Sequence, residues 1–152
     1  MPKFTTRNIN RFLAFKLPSA YFSGIRVTQI LDHKASASVK HRWINQNPFR
    51  SLYWATQAMA AELVTGILMM KKIKESNQKI SMLVVQQNGR FSKKARGRIT
   101  FHCDEGKLID EIIQSEIKTG LGQTLVLKAS GFDEENELVS NFEFTWSIKL
   151  KK

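Results

Sequence analysis

The chain holds one cysteine, Cys103, in 152 residues. That excludes an internal disulfide and a cysteine-rich metal site, and it makes a reducing, cytoplasmic setting the default expectation. Cys103 falls in an alternating pattern and reads as a packed thiol rather than a nucleophile. Acids are scarce at the front. Residues 1–100 contain only Asp32, Glu62 and Glu75 against 18 Lys and Arg, whereas residues 101–152 carry ten acids against six Lys. The net charge of +11 is therefore concentrated in the front two thirds. It favours polyanions (nucleic acid, a phosphorylated ligand, an anionic membrane) without choosing among them. The start, Met1-Pro2-Lys3-Phe4, lacks a signal-peptide pattern. There is no Walker loop, Gly-rich dinucleotide fingerprint, HExxH, nucleophile elbow, zinc spacing, repeat or low-complexity stretch. No metal or cofactor is expected on these grounds. At 42% hydrophobic and 24% charged, residues 1–152 read as one globular domain.

What is present is one long apolar stretch. The order Asn47-Pro48 suits a helix N-cap and first turn, and Lys71, Lys72 and Lys74 suit the negative pole at the other end. A central helix over 48–74 follows. It is apolar nearly all round, so it should be buried on several sides. Its one acid is Glu62. A membrane span is disfavoured, because Thr56, Gln57, Glu62 and Thr65 fall inside residues 52–70. A mid-bilayer carboxylate costs about 2.5–3.5 kcal/mol.

The flanks alternate. Residues 1–23 form a cap segment in which Ile9, Phe12, Leu13 and Phe15 make a short amphipathic helix over the core, stopped at Pro18; Phe4, Arg7 and Arg11 could instead touch lipid. Residues 25–31 and 35–43 read as a hairpin with His33 in its turn and His41 as a structural imidazole. A buried strand begins at Ile80, with a turn signal at Asn88-Gly89 that Phe91 continues past. Residues 95–103 alternate, with Arg96, Arg98, Thr100 and His102 on one face. Asp104 should cap a helix over 105–118, with its acids (Glu105, Asp110, Glu111, Glu116) on the solvated side and Gly120 just past its end. Strands follow at 124–132 and 138–150, separated by the acidic turn Asp133-Glu134-Glu135-Asn136. The expected architecture is α+β: a curved antiparallel sheet wrapped around one long central helix.

This layout resembles the hotdog fold, most closely the thioesterase-like branch related to acyl-CoA thioesterases. Trp43-Ile44-Asn45-Gln46-Asn47-Pro48-Phe49-Arg50-Ser51 running into Ala60-Ala61-Glu62-Leu63-Val64-Thr65-Gly66 carries the resemblance. Asp104 through Gly120, Phe132 to Val139 and the Trp146 strand fit the second half, and residues 24–150 are covered. The resemblance implies a homodimer, often a tetramer, binding acyl-CoA or another acyl thioester in a tunnel between protomers. It implies an acid on the central helix as base or nucleophile, and backbone N–H groups at that helix's start that polarise the thioester carbonyl. Two departures stand out. Phe49-Arg50-Ser51 replaces the family's His-Gly-Gly, and the family's acid, about two turns into the helix, falls near Ala58, with Glu62 one turn later.

On this reading Glu62 activates water, and Asn47 positions water or substrate. The amides at Phe49, Arg50 and Ser51 hold the carbonyl oxygen, and Ala58 shares the Glu62 face. Arg90, Lys93, Lys94, Arg96 and Arg98 offer phosphate contacts for a CoA-type ligand; a solvated basic face is the plainer reading of the same cluster. Glu62 can equally be a buried carboxylate paired with a basic or hydroxyl group. The competing functions are a non-catalytic acyl or lipid binder, motivated by the two departures, and a nucleic-acid module, motivated by charge alone and lacking exposed aromatics among its basic residues.

Overall fold

The computed structural model describes residues 3–152. In chain order the elements are α1 (Thr6–Lys16), α2 (Pro18–Phe22), β1 (Arg26–Ile30), β2 (Ala35–Lys40), a 3-10 turn (Trp43–Asn45), α3 (Trp54–Glu75), β3 (Ile80–Phe91), β4 (Arg98–Cys103), α4 (Gly106–Thr119), β5 (Gln123–Phe132) and β6 (Leu138–Leu150). The six strands form one antiparallel sheet in the order β1-β2-β4-β5-β6-β3. The sheet curves around α3.

Period-two alternation produces this sheet. Ala37 and Val39 of β2, Ile99 and Phe101 of β4, Leu127 and Ala129 of β5 and Phe142 and Phe144 of β6 all turn inward and are buried. They meet Ala60, Ala61, Val64, Ile67 and Leu68 of α3, each fully buried. At roughly 1.5–3 kcal/mol per fully buried large side chain, this layer supplies most of the driving force. It also explains the absence of a polar face on α3: sheet, α2 and α4 pack around it. No helix among the described residues is long and apolar enough to cross a membrane.

Close packing leaves two strand glycines, Gly89 of β3 and Gly131 of β5, no room for a side chain. Gly131 of β5 pairs with Phe101 of β4, and a Cβ there would stand 2.5 Å from the buried Phe101 ring. Gly131→Ala should destabilise the fold by about 1–3 kcal/mol through overpacking. An unchanged denaturation midpoint would show that the ring moves freely.

Several boundaries differ from expectation. The central helix starts at Trp54, not at Pro48, and its N-cap position is Tyr53, without a side-chain cap. Asn47 instead closes a local turn. Its Oδ1 accepts from the Phe49 and Ser51 amides at 2.9 and 3.2 Å, and Gln46 bridges to Leu52. An asparagine that can bond its own chain two and four residues on competes with helix formation. Pro18 starts α2 at its first turn rather than only ending α1. Asn88-Gly89 makes no turn and runs inside β3. The fourth strand opens at Arg98, three residues later than expected, and His41 lies just past β2. Helix α4 is preceded by Glu105, not capped by Asp104, and the Glu105 carboxylate accepts the Lys128 amide at 2.6 Å.

Glu116 is the largest correction. It is fully buried, not solvated, and accepts the Gly122 and Leu150 amides at 2.9 and 2.8 Å. Lys72 is buried as well and donates to Asp110 at 3.0 Å and Asp32 at 3.2 Å, tying α3 to α4 and to the β1–β2 turn. Burial works to lower the Lys72 ammonium. Its hydrogen bonds to Asp110 and Asp32 outweigh that and hold it above the usual lysine range.

The two sheet edges are treated differently. Edge strand β1 is short, and Asn10 of α1 lies along it, accepting the Val27 amide at 2.8 Å and donating to the Val27 carbonyl at 2.9 Å. Edge strand β3 spans 12 residues and has no strand partner on its outer side among the described residues. Leu83, Val85 and Phe91 are exposed on it. A long open edge with apolar residues is a surface prepared for pairing.

Candidate functional site

Glu62 sits in the ninth position of α3, just over two turns from the observed start. Among the described residues no hydrogen bond or ion pair reaches its carboxyl group; only its backbone carbonyl is engaged, by the Thr65 hydroxyl at 2.8 Å. Desolvation by burial raises its pKa above the ordinary carboxylate value. The group lines a cavity of about 200 Å³ between α3, α1 and β6. Leu13, Leu63, Ile67, Met82 and Trp146 form its apolar walls, and Lys16 is the other charged side chain at its rim. Gly66, one turn on, leaves space beside the acid: a Cβ there would lie 3.5 Å from Glu62 Oε1 and from the Trp146 ring. The Trp146 indole donates to the Thr65 hydroxyl at 3.0 Å, which fixes that wall. The arrangement is an unpaired carboxylate against hydrocarbon, the environment in which a carboxyl group can act as a base near neutral pH.

A second, larger cavity of about 410 Å³ opens at the start of α3. Phe49, Tyr53, Trp54 and Phe91 line it together with Lys93 and Lys94. The Lys94 ammonium lies 5.9 Å from the centre of the Phe49 ring. Gln57, buried in the first turn of α3, accepts from the Ser140 hydroxyl at 2.8 Å. Between the two cavities, Ala55, Ala58, Met59 and Glu62 make the partly buried stripe of α3. Ala58 thus shares the Glu62 face, as i,i+4 spacing requires.

The loop residues are used differently than expected. The Asn47 carbonyl-type oxygen is spent on the Phe49 and Ser51 amides, and its amide nitrogen donates to Ser51 Oγ at 2.9 Å. The Arg50 amide donates to the Asn47 backbone carbonyl at 3.2 Å. All three amides at Phe49, Arg50 and Ser51 are therefore satisfied within the turn, which removes them as donors to a carbonyl oxygen. The amides of Trp54 and Ala55, in the first turn of α3, take no acceptor among the described residues. Sequence reasoning missed them because it began the helix six residues too early. Arg50 is exposed, with a left-handed φ of 57°, and lies outside both cavities.

The basic cluster does not stay together. Lys93 is paired with Asp133 at 2.8 Å and Glu137 at 2.5 Å, and these partners push its pKa above the usual lysine range. Arg96 faces a separate polar cleft with Asp133, Glu134 and Glu135. Arg98 reaches Ser38 at 3.3 Å on the outer sheet face, and Arg90 is exposed on β3. Of the five, Lys93 and Lys94 line the cavity at the start of α3.

Other reactive groups offer less. Cys103 is buried, and its thiol is pushed up to about 12 by burial, as suits a packed residue. Ser36 Oγ and His102 Nδ1 are 2.7 Å apart on the outer face, and no carboxylate among the described residues is bonded to the imidazole. Among the described residues, no group of three or more His, Cys, Asp and Glu side chains could hold a metal ion.

Comparison with known proteins agrees with the geometry. Residues 5–148 match a family described as a domain of unknown function, DUF4442. No curated protein matches the chain. Among solved structures, the chain is similar to a protein of unknown function from Pseudomonas aeruginosa described as a probable thioesterase: TM-score 0.82, 18% identity, covering 99% of this chain and 97% of that one. It is also similar to a putative thioesterase from Shewanella oneidensis: TM-score 0.77, 12% identity, covering 93% and 95%. A thioesterase from Haemophilus influenzae has TM-score 0.71 and 16% identity, covering 98% and 93%. The shared architecture is the hotdog fold of these thioesterases.

Proposed function

Because the chain belongs to the DUF4442 family and has the fold of proteins described as thioesterases, we propose that it hydrolyses an acyl thioester such as an acyl-CoA, with Glu62 activating the attacking water. The observation that carries this reading is Glu62 itself: unpaired, largely withdrawn from water and facing an apolar cavity. Buried carboxylates are normally partnered. Leaving one bare destabilises the fold and makes sense where the group must remain available to a proton.

The position of Glu62 along α3 supports this reading. Counted from Trp54 rather than Pro48, Glu62 falls about two turns into the helix, where the resemblance places the acid. By the same count, the donors for the carbonyl oxygen are the amides of Trp54 and Ala55, aided by the positive end of the helix. These amides and Glu62 are about 12 Å apart along one helix axis. Activated water and carbonyl donors must both lie about 3 Å from the reacting group. A second copy answers this most directly, the helix start of one facing Glu62 of the other. The open β3 edge, with exposed Leu83, Val85 and Phe91, is the surface that supports such a homodimer. Lys94 and the aromatic cavity at the α3 start offer a cation and ring faces for the phosphorylated carrier.

The reading is tested with a panel of acyl-CoA substrates of increasing chain length, following thiol release. Turnover on at least one is expected, and light scattering should give a dimer mass. Tight acyl-CoA binding with no thiol release across the panel selects the non-catalytic binder instead.

A further inference from the structure

We propose that the outer face of α1 docks on an anionic phospholipid surface, with Phe15 entering the headgroup layer. At 100° per residue, Arg7, Arg11, Phe15, Asn8 and Phe12 fall on one side of α1, opposite the buried Ile9 and Leu13. Phe15 is 85% exposed, and Leu17 and Phe22 are exposed just beyond it. A single exposed aromatic needs no explanation. Here the exposed apolar residues lie among cations that no acid among the described residues neutralises. Arg7, Arg11 and Lys16 make no ion pair or hydrogen bond through their side chains among the described residues. No acid precedes Asp32 in the sequence. The nearby Arg26 shows the contrast: its guanidinium lies 3.6 Å from the Tyr21 ring centre and donates to the Tyr21 carbonyl at 2.7 Å.

A basic helix face with a protruding aromatic is the arrangement that lies in a membrane interface, where apolar burial and attraction to anionic lipid act together. Helix α1 is also held in place before any lipid arrives. Ile9 and Leu13 are buried, and Asn10 is bonded to β1. Docking therefore costs little further ordering entropy. A second copy is a poor occupant, because a symmetric contact would bring the same free cations face to face. Single-stranded nucleic acid needs a basic groove that tracks a backbone, and this face is the convex side of a helix. Lys16, at the edge of this face beside Phe12 and Phe15, also borders the Glu62 cavity with Leu13, so docking would place that cavity beside lipid. The proposal does not depend on hydrolysis by Glu62.

The test is co-sedimentation of the full chain with vesicles of phosphatidylcholine alone and of phosphatidylcholine with phosphatidylglycerol, without any thioester. Binding is expected on the anionic vesicles only, weakening with salt. Each basic residue near such a surface contributes about a fivefold change in partition. Arg11→Gln with Lys16→Gln should thus reduce binding roughly 25-fold, and Phe15→Ser should reduce it at least several-fold. All three positions are exposed, and circular dichroism checks that the variants fold. The proposal is overturned by absence from the anionic pellet, or by binding that the variants leave unchanged. It is equally overturned if the same variants abolish self-association, or binding of a labelled oligonucleotide, while leaving the vesicle fraction untouched.

Discussion

Glu62→Gln is expected to lower kcat/KM for an acyl thioester by about 10²–10⁴-fold, the usual contribution of a positioned base. It should do so without lowering thermal stability at pH 8. The two effects have one cause. Burial raises the Glu62 pKa, so the folded state favours the neutral acid. That preference contributes stability that is fully present below the unfolded carboxylate pKa. It is lost as pH rises through the raised folded pKa. Glutamine resembles the neutral form at every pH. The variant should therefore match the parent in acid and equal or exceed it at pH 8, while remaining inactive throughout. Activity of the parent should show the complementary profile, falling as pH drops through the same raised pKa, because only the ionised carboxylate accepts a proton. Lys16, at the cavity rim, is the charged neighbour to hold constant in such a series. Full turnover in Glu62→Gln would remove this residue from the chemistry. Loss of activity together with a lower melting point at pH 8 would mark it as structural.

Glu116→Leu is expected to cost on the order of 3–5 kcal/mol, and roughly 10 °C of melting temperature for a domain of this size. Leucine has about the right bulk for the site, so a purely steric account predicts little change. The physical argument runs the other way. The two Glu116 oxygens separately accept the Leu150 and Gly122 amides, joining α4 to the last strand and to the turn that follows the helix. An apolar replacement leaves two donors without acceptors in a site closed to water, and bonds to a charged acceptor are worth about 1.5–3 kcal/mol each. Glu116→Gln keeps one carbonyl oxygen and should recover part of the loss. Urea denaturation of the three proteins orders them. Equal midpoints for leucine and glutamate would show that water reaches these amides after all.

How much of this was readable beforehand depends on the kind of residue. The strands were legible because their periodicity is strong: Phe142, Phe144, Trp146 and Ile148 occupy alternate positions and all are buried. Helix α3 was legible as an element because apolar residues fill it nearly all round. Its start was not, because Asn47-Pro48 carries the same local signal whether it opens a helix or an asparagine turn. That ambiguity of six residues moved the helix-start amides from the Phe49–Ser51 turn to Trp54 and Ala55. Glu116 was misread because a carboxylate on an amphipathic helix is ordinarily solvated, and its two amide donors come from residues 6 and 34 positions away. The basic cluster was misread for a related reason. Lys93 finds its acids some 40 residues later in the chain, and this neutralisation has no signature near Lys93 itself.

By itself, the sequence determined the class of this protein: a greasy helix carrying Glu62, and alternating strands enough to enclose it. Those features follow from local spacing and from hydrophobic pattern, which act between near neighbours. Only the tertiary structure decided that, among the described residues, the acid beside the cavity meets no partner and the Trp54 and Ala55 amides meet no acceptor. It also decided that one expected surface glutamate is an internal bridge, and that Asn10 lies along edge strand β1 while β3 has no outer strand partner among the described residues. Each of those outcomes turns on whether a distant group arrives to satisfy a charge or an amide, and that is settled by how the chain closes on itself.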